Sequence, residues 1–167
     1  AGATLLLGRL PRAVATFIAM TGSHLNGADA FATGIATHAV AAAARGAVRD
    51  SLLGAAWTGR TDGDLDVAAG ALAALPVADL PARQIDDLPE TLDADGSLHE
   101  VVARIEALGG RSRWIDNGIA TMRRGCPASL GIVVAQLQRA RGLGPADAFR
   151  LEMIIATQCA DHRDFAE

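Results

Sequence analysis

The side chains in this sequence that could carry acid–base, nucleophilic or metal chemistry are four histidines, two cysteines and several paired aspartates. Spacing decides what each could do. His24, His38, His99 and His162 are scattered, and none stands four residues from another, the separation that places two imidazoles on one helix face around zinc. No zinc site is expected. His99 falls in the first turn of a predicted helix and reads as solvated; His38 falls in a short predicted strand and reads as structural. Asp64/Asp66, Asp86/Asp87 and Asp93/Asp95 stand at helix starts or in turns, where carboxylates complement the helix dipole or face water. Calcium would need several more oxygen ligands at regular spacing. Cys126 immediately precedes Pro127 at a helix start, a position that can activate a thiol. A nucleophile also needs a base held beside it, and the sequence supplies none, so Cys126 reads as structural. Ser51, Ser97 and Ser129 all lack the Gly-x-Ser-x-Gly elbow of serine hydrolases. The chain has no lysine, which excludes Schiff-base catalysis and a Walker-type phosphate loop. No residue is therefore assigned a catalytic, cofactor-binding or metal-binding role.

The elements that would position any site are mostly helical. Pro11 suits a first helical turn, with Val14, Phe17 and Ile18 following at helical spacing. Asn26 caps a short helix through Phe31, ended by Gly34. Ile35 to Val40 is the best strand. Ala41 to Trp57 and Asp64 to Leu75 are alanine-rich helical stretches. Pro76, Pro81 and Pro89 then break the chain through to Asp95, which marks that segment as a flexible connection. Ser97–Leu98–His99–Glu100 is a capping box, with Leu98, Val101, Val102, Ile105 and Leu108 on one face of the helix it opens and Gly109–Gly110 at its end. A helix from Arg113 to Arg124 turns Ile115, Ile119 and Met122 inward. Pro127 opens another that buries Leu130, Val133, Val134 and Leu137, and Pro145 opens a last one containing Phe149, Met153 and Ile155.

At 167 residues, half of them apolar, the chain is long enough for one domain with a core. The net charge of −4 has its signs interspersed, so there is no basic face for nucleic acid. No apolar run approaches the roughly 20 residues of a membrane span, and Leu5–Leu7 is too short for a signal-peptide core. A cytoplasmic location follows as the expectation, with Cys126 and Cys159 as buried thiols.

The stretch Thr21–Gly22–Ser23–His24–Leu25–Asn26–Gly27–Ala28–Asp29–Ala30, followed by Gly34–Ile35–Ala36–Thr37–His38–Ala39–Val40, resembles the end of the core spiral in the crotonase superfamily. The threonine–histidine ending is most similar to the 3-hydroxyisobutyryl-CoA hydrolase branch. Gly2–Ala3–Thr4–Leu5, Arg9–Leu10–Pro11, Pro127–Ala128–Ser129–Leu130, Arg150–Leu151–Glu152 and Asp164–Phe165–Ala166–Glu167 resemble further passages of that branch in the same order. The proline-broken stretch and the Ser97 helix occupy the place of its extra helical insert. The chain departs from the pattern at Gly131 and Ile154, where the branch has a lysine and an arginine.

The resemblance implies a fold that is mainly α as it stands, the C-terminal helical half of an α/β crotonase-like spiral. Residues 1–42 would end the crotonase core with helices and a short strand. Residues 43–96 would form a helical insert and proline-broken connection, and residues 97–167 a helical region covering the acyl-CoA pocket. By the same resemblance, the oxyanion-hole glycines and working carboxylates precede Ala1, the last of them an aspartate directly before it. The parent enzyme would be a 3-hydroxyacyl-CoA thioesterase of valine catabolism. It would take a coenzyme A thioester as substrate, use no cofactor, and place this inactive half against a missing N-terminal half. The resemblance allows a homo-oligomer. An enoyl-CoA hydratase or isomerase is the alternative parent, and a non-catalytic helical interaction domain the alternative of a different class.

Overall fold

A computed structural model describes residues 2–160 of the chain, and among them the regular elements are helices. Nine α-helices follow in order: α1 Ala3–Arg9, α2 Arg12–Thr21, α3 Gly27–Ala32, α4 Arg45–Leu53, α5 Thr61–Ala73, α6 Leu98–Glu106, α7 Arg113–Arg124, α8 Pro127–Ala140 and α9 Pro145–Ala160. Grouped by packing, they form two compact units, one of residues up to His24 with those from Ile85 onward, the other of Leu25–Gln84. That division cuts across the segments 1–42, 43–96 and 97–167.

In the first unit α2 packs on α7 and α8, α1 on α8 and α9, and α6 on α8. Apolar spacing explains the arrangement. Val14, Phe17 and Met20 of α2 recur every three residues and are buried together, as are Val101 and Ile105 of α6 and Ile115, Ile119 and Met122 of α7. Ile18 stays partly exposed, and Pro11 stands one residue before α2 rather than inside it. Helix α7 comes close to α2 at Gly118. A Cβ there would lie 2.6 Å from Ser23 Oγ and 2.8 Å from Phe17 Cζ, so only a glycine lets α7 close on the Phe17 ring.

The Ser97 box forms as read: Ser97 Oγ accepts from Glu100 N at 3.3 Å, and Glu100 Oε2 accepts from Ser97 N at 2.7 Å and Ser97 Oγ at 2.8 Å. These bonds hold the Glu100 carboxyl below its ordinary pKa. Ser97→Ala is expected to lower stability by about 0.5–2 kcal/mol, the usual cost of a lost cap. A urea midpoint indistinguishable from wild type would mean that tertiary packing alone starts α6.

Three expectations need correction here. The proline-broken segment is not a free connection, because Leu88, Leu92 and Ala94 are buried in this unit. On α8, Val134 and Leu137 are buried, but Leu130 and Val133 are only partly so; Leu130 edges an open groove instead of the core. The cysteines are not buried: Cys126, the residue before α8, is exposed and Cys159 is partly exposed, with neither in a disulfide.

The second unit is held by polar contacts more than by a core. Asn26 and Asp29 form a reciprocal cap at α3. The fully buried Asp29 carboxylate also accepts from Gln84 N at 2.7 Å and Gln84 Nε2 at 3.1 Å, while Asn26 Nδ2 donates to Ala82 O at 2.8 Å. The predicted strand Ile35–Val40 does not form. Val40 makes one isolated antiparallel bridge to Val77, flanked by Ala41 N to Pro76 O at 3.0 Å and Ala78 N to Ala39 O at 3.1 Å. Pro76, opposite Ala41, has no N–H to donate, and on the side of the predicted strand Ala36 N turns to Ala30 O at 3.0 Å instead. The stretch from Ala41 begins as a 3-10 turn, Ala42–Ala44, and α4 ends before Gly54. Asp64 sits in the first turn of α5 and accepts from Thr58 Oγ1, Thr58 N and Gly59 N, which draw its pKa down.

Candidate functional site

The side chains with chemical potential do not converge. His24, His38 and His99 are exposed: the His24 carbonyl accepts from Trp114 Nε1 at 3.0 Å, and His38 Nδ1 lies 3.0 Å from Thr37 Oγ1. His162 lies outside the described residues. Asp86 and Asp87 fall in the 3-10 turn Ile85–Asp87, Asp93 pairs with Arg104 at 3.4 Å, and Ser97 is engaged in its cap. Among the described residues no three histidines, cysteines or acids are placed to hold a metal ion.

One constrained polar cluster, at the start of α1, is not marked by sequence spacing. Gly2 adopts a left-handed conformation, φ 96°, at the start of α1. Glu152, from the middle of α9, reaches this end of the helix: Oε2 accepts from Gly2 N at 2.6 Å and Oε1 from Thr4 N at 2.8 Å. The first amides of a helix have no partner inside it, and a carboxylate there both accepts their hydrogens and meets the positive end of the dipole. The bonds from Thr4 and Gly2 hold the Glu152 carboxyl below its ordinary pKa. Thr4 is itself fully buried, and its Oγ1 accepts from Gln136 Nε2 of α8 at 2.5 Å. Two later helices thus fix the direction in which the chain enters α1. In the sequence Glu152 is marked only by its place in the Arg150–Leu151–Glu152 resemblance.

A groove of about 460 Å³ opens between α6, the end of α7 and the start of α8. Leu98, Val102, Met122 and Leu130 make its walls, with His99 and Arg123 at the rim. Arg123 is held by Glu106 at 2.8 Å. An apolar channel with a polar edge suits an acyl or other hydrocarbon group better than a charged one.

The family described as enoyl-CoA hydratase/isomerase matches the sequence over residues 1–167. The chain belongs to that family. As a member of the enoyl-CoA hydratase/isomerase family it is part of the crotonase superfamily, and its mainly helical architecture agrees with the helical C-terminal part of a crotonase-fold domain. The family match runs through α4, α5 and the proline-broken segment as well as through the motif-bearing helices. Family membership points to an enzyme and to acyl-CoA as the substrate class. No helix among the described residues is long and apolar enough to cross a membrane. No curated protein matches the chain at a significant level.

Proposed function

We propose that this chain is the C-terminal helical part of an acyl-CoA thioesterase resembling 3-hydroxyisobutyryl-CoA hydrolase, with its working groups supplied by a segment that precedes Ala1. The family match supports the acyl-CoA part of this reading. The single observation that carries the hydrolase part is the order of the branch-like passages: Gly2–Leu5, the Thr37–His38 ending, Pro127–Leu130 and Arg150–Glu152. In that reaction two backbone amides would receive the thioester oxygen, where fixed donors stabilise the negative charge of a tetrahedral intermediate. A carboxylate pair would activate water and return the proton to the departing thiolate. Residues 2–160 would serve that site from outside. Glu152 and Gln136 fix the entry of α1, through which the preceding segment joins, and the helices cover the acyl-CoA pocket. The side chains of Phe149, Met153 and Ile154, exposed on α9, would meet the rest of the enzyme.

The second reading, an enoyl-CoA hydratase or isomerase, is favoured by the description of the matching family. One assay separates them. With the preceding coding segment joined to this chain, 3-hydroxyisobutyryl-CoA should release coenzyme A thiol, while crotonyl-CoA should not be hydrated. Hydration of crotonyl-CoA without thiol release would replace the hydrolase reading with the hydratase one.

A further inference from the structure

A cavity of about 240 Å³ lies within the first unit, bounded by the end of α1, the start of α2 and the end of α8. Leu7, Leu10 and Leu137 give it apolar walls, and Arg12 and Arg141 line it as well. Thr16 also lines it. That residue is only 2% exposed, yet its hydroxyl has no hydrogen-bond partner among the described residues. A threonine in a helix ordinarily returns its hydrogen to the carbonyl four residues earlier, as Thr21 does to Phe17 O at 2.6 Å. The hydroxyl is not sealed in, since the buried side-chain polar atom without a partner among the described residues is Arg104 Nε; Thr16 Oγ1 stays open to whatever enters the cavity that the residue lines. The arginines are similarly under-used. Arg141 forms no ion pair or hydrogen bond among the described residues. Among the described residues Arg12 has one ion pair, to Asp95 at 3.7 Å, with both side chains more than half exposed, a pairing that contributes little.

We propose that this cavity binds a short aliphatic carboxylate. Its anion would lie between the Arg141 and Arg12 guanidinium groups and accept from Thr16 Oγ1, displacing the weak Asp95 contact. Its hydrocarbon tail would lie against Leu7, Leu10 and Leu137. The walls decide between anions: phosphate needs donors around all its oxygens, and three leucines offer none, whereas a carboxylate with a tail matches both halves. The volume falls below the roughly 300 Å³ at which pockets for drug-sized ligands begin, which restricts the ligand to a few carbons. This site is separate from the thioester chemistry and stands or falls independently of it.

Isothermal titration of the 167-residue chain with sodium hexanoate tests the site, with acetate, 1-hexanol and inorganic phosphate as comparisons. Hexanoate should bind saturably at one site, and the three comparisons at least about tenfold more weakly, since each lacks the charge or the tail. Arg141→Gln should weaken hexanoate by about tenfold or more, the usual worth of a hydrogen bond to a charged group. Thr16→Val should weaken it too while leaving the denaturation midpoint of the unliganded chain nearly unchanged, because the hydroxyl is not among the buried unbonded groups and the side-chain shape is kept. A hydroxyl with a structural role would instead lower that midpoint. No saturable binding of hexanoate, equal binding of phosphate, or an affinity that neither substitution lowers would overturn the proposal.

Discussion

Phe17→Ala is expected to destabilise the chain by about 3–5 kcal/mol, the usual loss when a large buried aromatic is truncated. Phe17 has no exposed surface, and its ring lies 4.7 Å from that of Trp114, tilted by 45°. Its edge occupies the space left by the missing side chain of Gly118. Truncation would open a void where α2 meets α7, and the helices cannot collapse into it freely, because Ile115 and Ile119 of α7 are held in the same core. Urea denaturation gives the measure. A loss under about 1 kcal/mol would show that the ring is not central to the first unit, since even modest core truncations cost about that much.

Glu152→Ala should have the next largest effect. It removes two charge-assisted bonds to helix amides that have no other protein acceptor in reach of the helix ladder. Such bonds contribute roughly 1.5–3 kcal/mol each when shielded; the carboxylate is only partly shielded here, so a total loss of about 2–3 kcal/mol is expected. The pH dependence has a definite sign. The carboxyl is held below its ordinary pKa in the folded chain, so its contribution is fully present above the unfolded value, about 4.3, and is lost as pH falls through the folded value. Wild type and Glu152→Ala should therefore differ by a constant amount near neutral pH and converge on the acid side. A difference that persists unchanged into strong acid would show that the side chain acts through packing and not through its charge.

The legible parts of the fold are those whose signals are local. The Ser97–Glu100 box, the Ile115–Ile119–Met122 face and Pro127 each lie within the helix that they predict, and α6, α7 and α8 appear where those residues place them. Helix α1 was not legible. It is short, opens on Gly2 without a side-chain cap of its own, and draws its acceptor from a residue 150 positions away. The opposite error arose at Ile35–Val40, where apolar and β-branched residues suggested a strand. A strand needs its amides free for a partner along its length, and here Ala36 N donates back to Ala30 O at 3.0 Å, which leaves the Val40–Val77 bridge isolated. Thr16 and Arg141 drew no attention in the sequence for a similar reason: the cavity that gives them meaning is assembled from three separated stretches of chain. Membership of the family was legible because it resides in ordered short passages, which need no knowledge of packing.

The most direct test of the whole assignment is thioester turnover measured side by side, for these 167 residues alone and for the same residues joined to an N-terminal segment that carries the oxyanion-hole glycines and carboxylates the proposed function requires. Release of coenzyme A thiol from 3-hydroxyisobutyryl-CoA is expected only from the joined protein, because no acid, base or oxyanion donor for the reaction is assigned within the chain. Thiol release or crotonyl-CoA hydration by the 167 residues alone, persisting after removal of any longer species, would contradict that assignment and place working groups among the residues described here as cover.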